Sequence, residues 1–353
     1  MTSYIGADVD SKMTDLAIER RRKIVARFCV PTNIAALRGV LRDIPGRKEL
    51  TFEEGPLAHW LRRNLRGSVD RLVVCDPRRN AYIAKDGDKD DPIDAGKLAE
   101  LLRGKYLREV YHSDDERRVD LKRWVGLYHD RVGQAVREVN KLRGCCRHYG
   151  LRVPGRALRQ LEVRRDWLAG LDRRAYSELR RQLEMLWWGL DAAILQSRQC
   201  RRRMMQLAKG DEIVGLWQAL PGIGPIRAVT LLAYLDTPWR FARPEKLWKY
   251  CGVGLERFSS GKDRFGRPKV GRLQLAWQVN KRLKDAVMGA TLSAIRQSEN
   301  PFRDRYERLV ADGLTTANAR HTVARKLLTV LWGMWKTNRP YDPTRVGVER
   351  RGR

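Results

Sequence analysis

Cysteine patterning, long apolar runs and acidic charge are what this chain has least of. Its six cysteines, Cys29, Cys75, Cys145, Cys146, Cys200 and Cys251, include no CxxC pair. Neither a zinc site nor a disulfide framework is therefore supported, and their mostly apolar surroundings suit reduced, partly buried thiols. No stretch of about 18 uncharged apolar residues occurs, which argues against a membrane span. The first residues lead into a strand pattern without a basic and apolar leader, so a soluble, cytoplasmic protein is expected. Acidic residues number 42 against 72 Lys and Arg, giving a formal charge of +30 over 353 residues. That excess implies a polyanionic partner, and because it is interspersed with Trp, Leu and Val it points to folded surfaces that bind nucleic acid.

Carboxylates gathered against such a background need a reason, and Asp86, Asp88, Asp90, Asp91 and Asp94 stand together. Pro92 suits the first turn of a helix, which the apolar spacing from Ala95 to Leu102 continues. Asp91 and Asp94 then share one face. Two readings stand: a bound divalent cation offsets their repulsion, or Asp91 caps the helix and Asp94 is favoured by its dipole.

The pattern around this run predicts strands at 4–10, 15–19, 24–30, 49–53 and 71–75. Helices are expected through Leu37 and Leu41 and through Leu57 to Leu65, with a short one opening at Asp76 and Pro77. Together these give a mixed α/β domain over residues 1–112. In an RNase H-like sheet the first strand is central and lies beside the strand carrying Glu53, and the helix of Asp91 and Asp94 packs across them. Asp8, Glu53, Asp91 and Asp94 then share one pocket suited to Mg2+. Asp10, Glu54, Asp88 and Asp90 are neighbouring alternatives, with Asp8 against Asp10 left open.

Residues 113–205 differ in kind. Apolar positions recur every three or four residues from Leu121 to Leu142, and again from Leu168 to Ile194, with a loop at 149–155 between them. Two long helices would form a hairpin or coiled-coil arm, able to dimerise or to carry nucleic acid on its basic side. Arg143, Arg147, Arg152, Arg156, Arg159, Arg164, Arg165 and the run 201–203 are its candidate phosphate contacts; a merely solvated basic face is the alternative.

A mostly helical segment follows over 206–340, with a basic tail at 341–353. Pro221-Gly-Ile-Gly224 between apolar helical patterns reads as a helix-hairpin-helix turn, or as an ordinary helix connection. A further helix is expected to end at Gly252. The stretch 253–272 reads as a polar loop in which Arg257, Lys262, Arg264, Arg267 and Lys269 surround Ser259 and Ser260. Those cations either contact phosphate passively or hold a scissile phosphate that a serine attacks. No histidine stands nearby to activate it. Helices over 273–295 and 316–335 complete the reading.

The chain resembles the insertion-sequence transposases that join a DEDD, RuvC-like domain to a serine-bearing transposase domain, the bridge-RNA-guided recombinases. The resemblance lies in Ile5-Gly-Ala-Asp8, Phe52-Glu-Glu-Gly55, Cys75-Asp-Pro-Arg-Arg-Asn80, Lys89-Asp-Asp-Pro-Ile-Asp-Ala95, Leu220-Pro-Gly-Ile-Gly224, Cys251-Gly-Val-Gly-Leu255 and Ser259-Ser-Gly261. It implies that Asp8, Glu53, Asp91 and Asp94 hold the metal and that Ser260, immediately before glycine, is the nucleophile. It further implies double-stranded donor and target DNA, an element-encoded structured guide RNA, and assembly into a dimer and a synaptic tetramer, with a composite active site formed between the two domains from different subunits. The rival readings are a RuvC-like, metal-dependent structure-selective nuclease and a non-catalytic architectural protein.

Overall fold

Alternating apolar residues at the start of the chain form β1 (Thr2–Val9), β2 (Met13–Arg20) and β3 (Lys23–Pro31), followed by β4 (Arg47–Glu53) and β5 (Arg71–Cys75). They make one five-stranded sheet in the order β3-β2-β1-β4-β5. β1 is antiparallel to β2 and parallel to β4, which is parallel to β5. The first strand is therefore central and lies beside the strand that ends in Glu53, as expected. The computed structural model describes residues 1–77, 91–258, 272–276 and 279–346. The chain divides into two compact units, Met1–Asp114 and Asp115–Arg353.

Within the first unit the sheet buries both faces. Ile5, Ala7, Leu16, Ile18, Leu50 and Phe52 pack with Leu37 and Leu41 of α1 (Ile34–Asp43) and Leu61 and Leu65 of α2 (Ala58–Leu65). Each of the buried Leu, Ile and Phe side chains contributes about 1.5–3 kcal/mol by leaving water. Asn33 starts α1, its Oδ1 accepting the Ala36 N–H at 2.9 Å. The opposite face is covered by α3 (Asp91–Gly104), which buries Ala95, Leu98, Ala99 and Leu102. Gly6 makes that approach feasible: a Cβ there would stand 2.0 Å from the Ala95 carbonyl oxygen and 2.6 Å from the Ala99 nitrogen.

The second unit is mostly helical. α4 (Glu116–His148) and α6 (Ser177–Leu207) are the long helices, with α5 (Leu161–Ala169) between them in sequence. Leu142 and Cys146 near the end of α4 share a core with Leu179 and Leu183 near the start of α6. At the other end, Leu121 and Val125 pack with Met204. The pair is therefore antiparallel. The remaining helices are α7 (Glu212–Gln218), α8 (Pro225–Leu235), α9 (Pro244–Tyr250), α10 (Lys281–Arg296), α11 (Pro301–Ala311) and α12 (Thr316–Thr337). Their core includes Trp217, whose indole N–H donates to the Leu331 carbonyl at 3.3 Å, with Val287, Leu327 and Leu328.

Three expectations are corrected here. The helical pattern that resumes at Leu168 is broken: α5 stops at Gly170, and the Asp172 carboxylate accepts the N–H groups of Arg174 and Ala175, turning the chain before α6. The helix expected from 273 begins only at Lys281, because Arg272–Leu275 is strand β7, paired antiparallel with β6 (Leu255–Phe258) in what was read as loop. Helix α11 was not anticipated. Asp76 and Pro77 are described, but the residues that would continue the short helix expected to open there, the acids Asp86, Asp88 and Asp90, Trp277 and the end of the basic tail lie outside the described residues. Among the described residues no helix is long and apolar enough to cross a membrane.

Candidate nucleic-acid cleavage site

Strand alternation decides which carboxylates meet. Ile5 and Ala7 face α1 and α2, so Gly6 and Asp8 face α3; Leu50 and Phe52 likewise leave Thr51 and Glu53 on the α3 side. Ala7 is level with Phe52 in the parallel ladder, and Asp8 and Glu53 each follow by one residue. Both acids thus lie at the carboxyl ends of adjacent strands, on the same face. The helix runs the other way across them. Its last turn is fixed by Arg103, which donates to the buried Glu19, a residue level with Tyr4. Gly6 meets Ala95 and Ala99, so Asp8 points toward the first turn, where Asp94 lies.

Asp94 is partly exposed, with the Lys97 ammonium 3.7 Å from its carboxylate. The backbone of Asp91 opens α3, but its side chain lies outside the described residues. Among the described residues no three acidic, histidine or cysteine side chains gather closely enough to hold a metal ion. The donor set, all carboxylate oxygens, is nonetheless the chemistry that hard divalent cations take.

The neighbouring alternatives have other partners. Asp10 closes the turn into β2: its carboxylate accepts the Lys12 N–H at 3.1 Å, and the Ser11 and Lys12 backbone N–H groups hold its pKa below the ordinary value. Glu54 lies 2.7 Å from Nε2 of His112. Neither His112 nor Lys97 was singled out from sequence, although the three-residue spacing of Asp94 and Lys97 is a readable signal. Gly6 also carried one, as a glycine inside a strand.

In the second unit, Pro221–Gly224 joins α7 to α8. Gly222 has φ +82°, and a Cβ on it would stand 2.1 Å from the Ala290 carbonyl oxygen, so the turn presses on α10. Arg227 ties the two together: it donates to the Gly222 carbonyl at 2.7 Å and to Ser293 Oγ at 2.9 Å, and its burial lowers its pKa. An open groove of about 460 Å³ runs along Gln218 to Gly224 beside Arg227, Ser293 and Gln297. Gly224, the N-cap of α8, brings no side chain to its amides.

The basic positions divide. Arg143, Arg147 and Arg152 are exposed, as are Arg201, Arg202 and Arg203. Arg164 is not: it is buried, bidentate to Asp191 at 2.6 and 2.9 Å, and it stacks 5.1 Å from the centre of the Trp187 ring. It is a packing residue of α5 on α6, which corrects its reading as a phosphate contact. Ser259, Ser260, Lys262, Arg264, Arg267 and Lys269 lie outside the described residues, and of Arg257 only the backbone, in β6, is described.

Two families match this sequence. Residues 5–150 match the DEDD_Tnp_IS110 transposase family, and residues 216–307 match the family described as Transposase IS116/IS110/IS902. No curated protein matches the chain.

Proposed function

We propose that this chain, a DNA transposase by its paired IS110-type domains, cleaves and exchanges DNA strands with a Mg2+-dependent acidic site and a serine nucleophile, guided by a structured RNA. One observation carries the reading: Asp8 and Glu53 end adjacent parallel strands on the face that α3 covers. The sheet order, with its central first strand, supports an RNase H-like domain. Asp8, Glu53, Asp91 and Asp94 would hold the metal. When bound, the ion supplies positive charge to phosphate oxygens and stabilises an attacking or leaving oxygen.

The chain's own residues do the rest. Ser260 gives up its hydroxyl proton and attacks the scissile phosphorus, forming a serine–phosphate bond as the 5′ or 3′ oxygen leaves and takes up a proton, and the basic groups Arg257, Lys262, Arg264, Arg267 and Lys269 hold the phosphate. The turn at Pro221–Gly224, read as a helix-hairpin-helix, presents free amides of the first turn of α8 to a DNA backbone. The exposed Arg143, Arg147 and Arg152 contact nucleic acid, and the α4–α6 pair serves as a coiled-coil arm joining copies into a dimer and then a synaptic tetramer.

The test is to assay Ser260→Ala and Asp8→Ala for strand transfer on donor and target DNA with guide RNA and Mg2+. Both are expected to lose transfer and keep nucleic-acid binding, and the unaltered chain is expected to yield a covalent protein–DNA product. Full transfer in either variant overturns the assignment. Cleavage without the covalent product replaces it with a hydrolytic nuclease.

A further inference from the structure

Among the described residues three large aromatic side chains are mostly in solvent: Trp188, Trp239 and Tyr106, at 73%, 72% and 71% exposure. Their surroundings differ. Trp188 keeps company with exposed Met185 and Leu195 on the same helix, a setting that suits apolar packing. Tyr106 lies against its own helix end at Gly104. Trp239 instead stands beside a cation. The Lys336 ammonium lies 4.1 Å from the centre of its ring and 5.1 Å from that of Trp332. Arg243, four residues after Trp239, and Arg339, three residues after Lys336, are exposed.

The backbone beneath Trp239 is fixed. Pro238 is buried, and Thr237 Oγ1 accepts the Trp239 N–H at 3.4 Å. The next residue, Arg240, donates to the carbonyls of Tyr234 and Leu235 at 3.0 and 2.9 Å, and its guanidinium stacks 4.8 Å from the centre of the Tyr250 ring. An indole held out on a rigid turn, with a lysine ammonium over one face of its ring, offers a flat apolar surface next to a positive charge. That combination takes a base by stacking while the cation meets its phosphate. A helix from another protein would need a broader apolar surface, and duplex DNA has its base faces covered.

We propose that Trp239, with Lys336, is a stacking platform for an unpaired base of single-stranded DNA, which strand exchange by a DNA transposase must expose. The proposal rests on the DNA substrate and not on Ser260 or on the metal, so the two can fail separately.

The experiment uses the full chain and an oligothymidine strand carrying one 5-iododeoxyuridine. Photo-crosslinking the unaltered protein is expected to join that base to Trp239, located by peptide mass spectrometry. In anisotropy titrations Trp239→Ala should weaken single-strand affinity about 5- to 50-fold, and Trp239→Phe, which keeps a ring, should retain most of it. Duplex of the same length should bind almost equally to all three proteins. The proposal is overturned if crosslinks fall elsewhere, if Trp239→Ala binds the single strand as the parent does, or if the duplex loses as much. Tighter, Trp239-dependent binding of the matching RNA strand would also overturn the assignment to DNA. Ser260→Ala should leave every one of these readings unchanged.

Discussion

Gly6 governs how near α3 can come to the sheet, and through that the position of Asp91 and Asp94 relative to Asp8. Gly6→Ala places a methyl carbon inside contact distance of the Ala95 oxygen, the Ala99 nitrogen and Leu98 Cβ, all of which belong to the helix. Backbone cannot yield as a flexible side chain does, so the helix must lift. The expected cost is about 1–3 kcal/mol of stability, read as a lower urea midpoint, with strand transfer lost more completely than nucleic-acid binding. Unchanged transfer would show that the spacing of α3 is not needed. A second residue couples the other unit to pH. His129, half-buried, lies 3.1 Å from Thr230 Oγ1, and its pKa is lowered from 6.5 by burial and then by Arg282, against the weaker pull of Asp130 and Asp285. A depressed histidine favours the neutral ring in the folded state. Its stability contribution is therefore full above about pH 6.5, the unfolded value, and is lost as pH falls toward the folded one. Thermal melts of the parent should drop between neutral and mildly acidic buffer, and His129→Gln should drop less; equal drops would remove His129 as the cause.

The long helices were the easiest elements to read and the least complete. Three- and four-residue spacing reports a buried stripe, and it identified both α4 and α6 because Leu179, Leu183 and Leu190 are indeed buried. It cannot report where a turn wins over a helix, and the Asp172 hydrogen bonds do so between α5 and α6. Strand β7 escaped for a different reason: four residues with leucines two apart carry too little pattern to outweigh the helix that follows. Helix α11 had a signal, since Asn300 accepts the N–H groups of Phe302 and Arg303 and Pro301 takes the first turn. Of the site, Asp8 and Glu53 were legible as strand ends. The buried Arg164 was not, because a partner as distant in sequence as Asp191 leaves no local mark. One stripe on α6 is left uncovered by the described residues: Met185, Trp188 and Leu195 are exposed, and with Ala192 they repeat at three- and four-residue intervals. Under the proposed self-association, Met185→Glu with Trp188→Glu should shift sedimentation to a smaller species without changing helix content. An unchanged sedimentation coefficient would move the interface elsewhere.

On the scale of the whole chain, the residues proposed for cleavage are divided between the two units: Asp8, Glu53, Asp91 and Asp94 belong to Met1–Asp114, and Ser260 to Asp115–Arg353. Groups carried on separate units need not be supplied by one polypeptide, provided that copies of the chain assemble on the DNA. The charge of +30 favours such gathering, since several copies are drawn to one polyanion. If each active site takes its acids from one copy and its serine from another, mixing Asp8→Ala with Ser260→Ala protein should restore strand transfer, although each is inactive alone. Random pairing into dimers would leave about half as mixed dimers, and each of these would hold one intact and one doubly defective site. The restored activity should therefore reach at most about a quarter of the parent's, and a reaction that needs all sites at once would give less. If both groups come from one copy, every mixed assembly contains only broken sites and transfer stays at background. Assaying covalent protein–DNA product in the mixture sharpens the readout, because in the first case the DNA is joined only to the copy that retains Ser260. Adduct on the Asp8→Ala polypeptide is the expected result, and its absence while the parent forms adduct under the same conditions rejects the shared site.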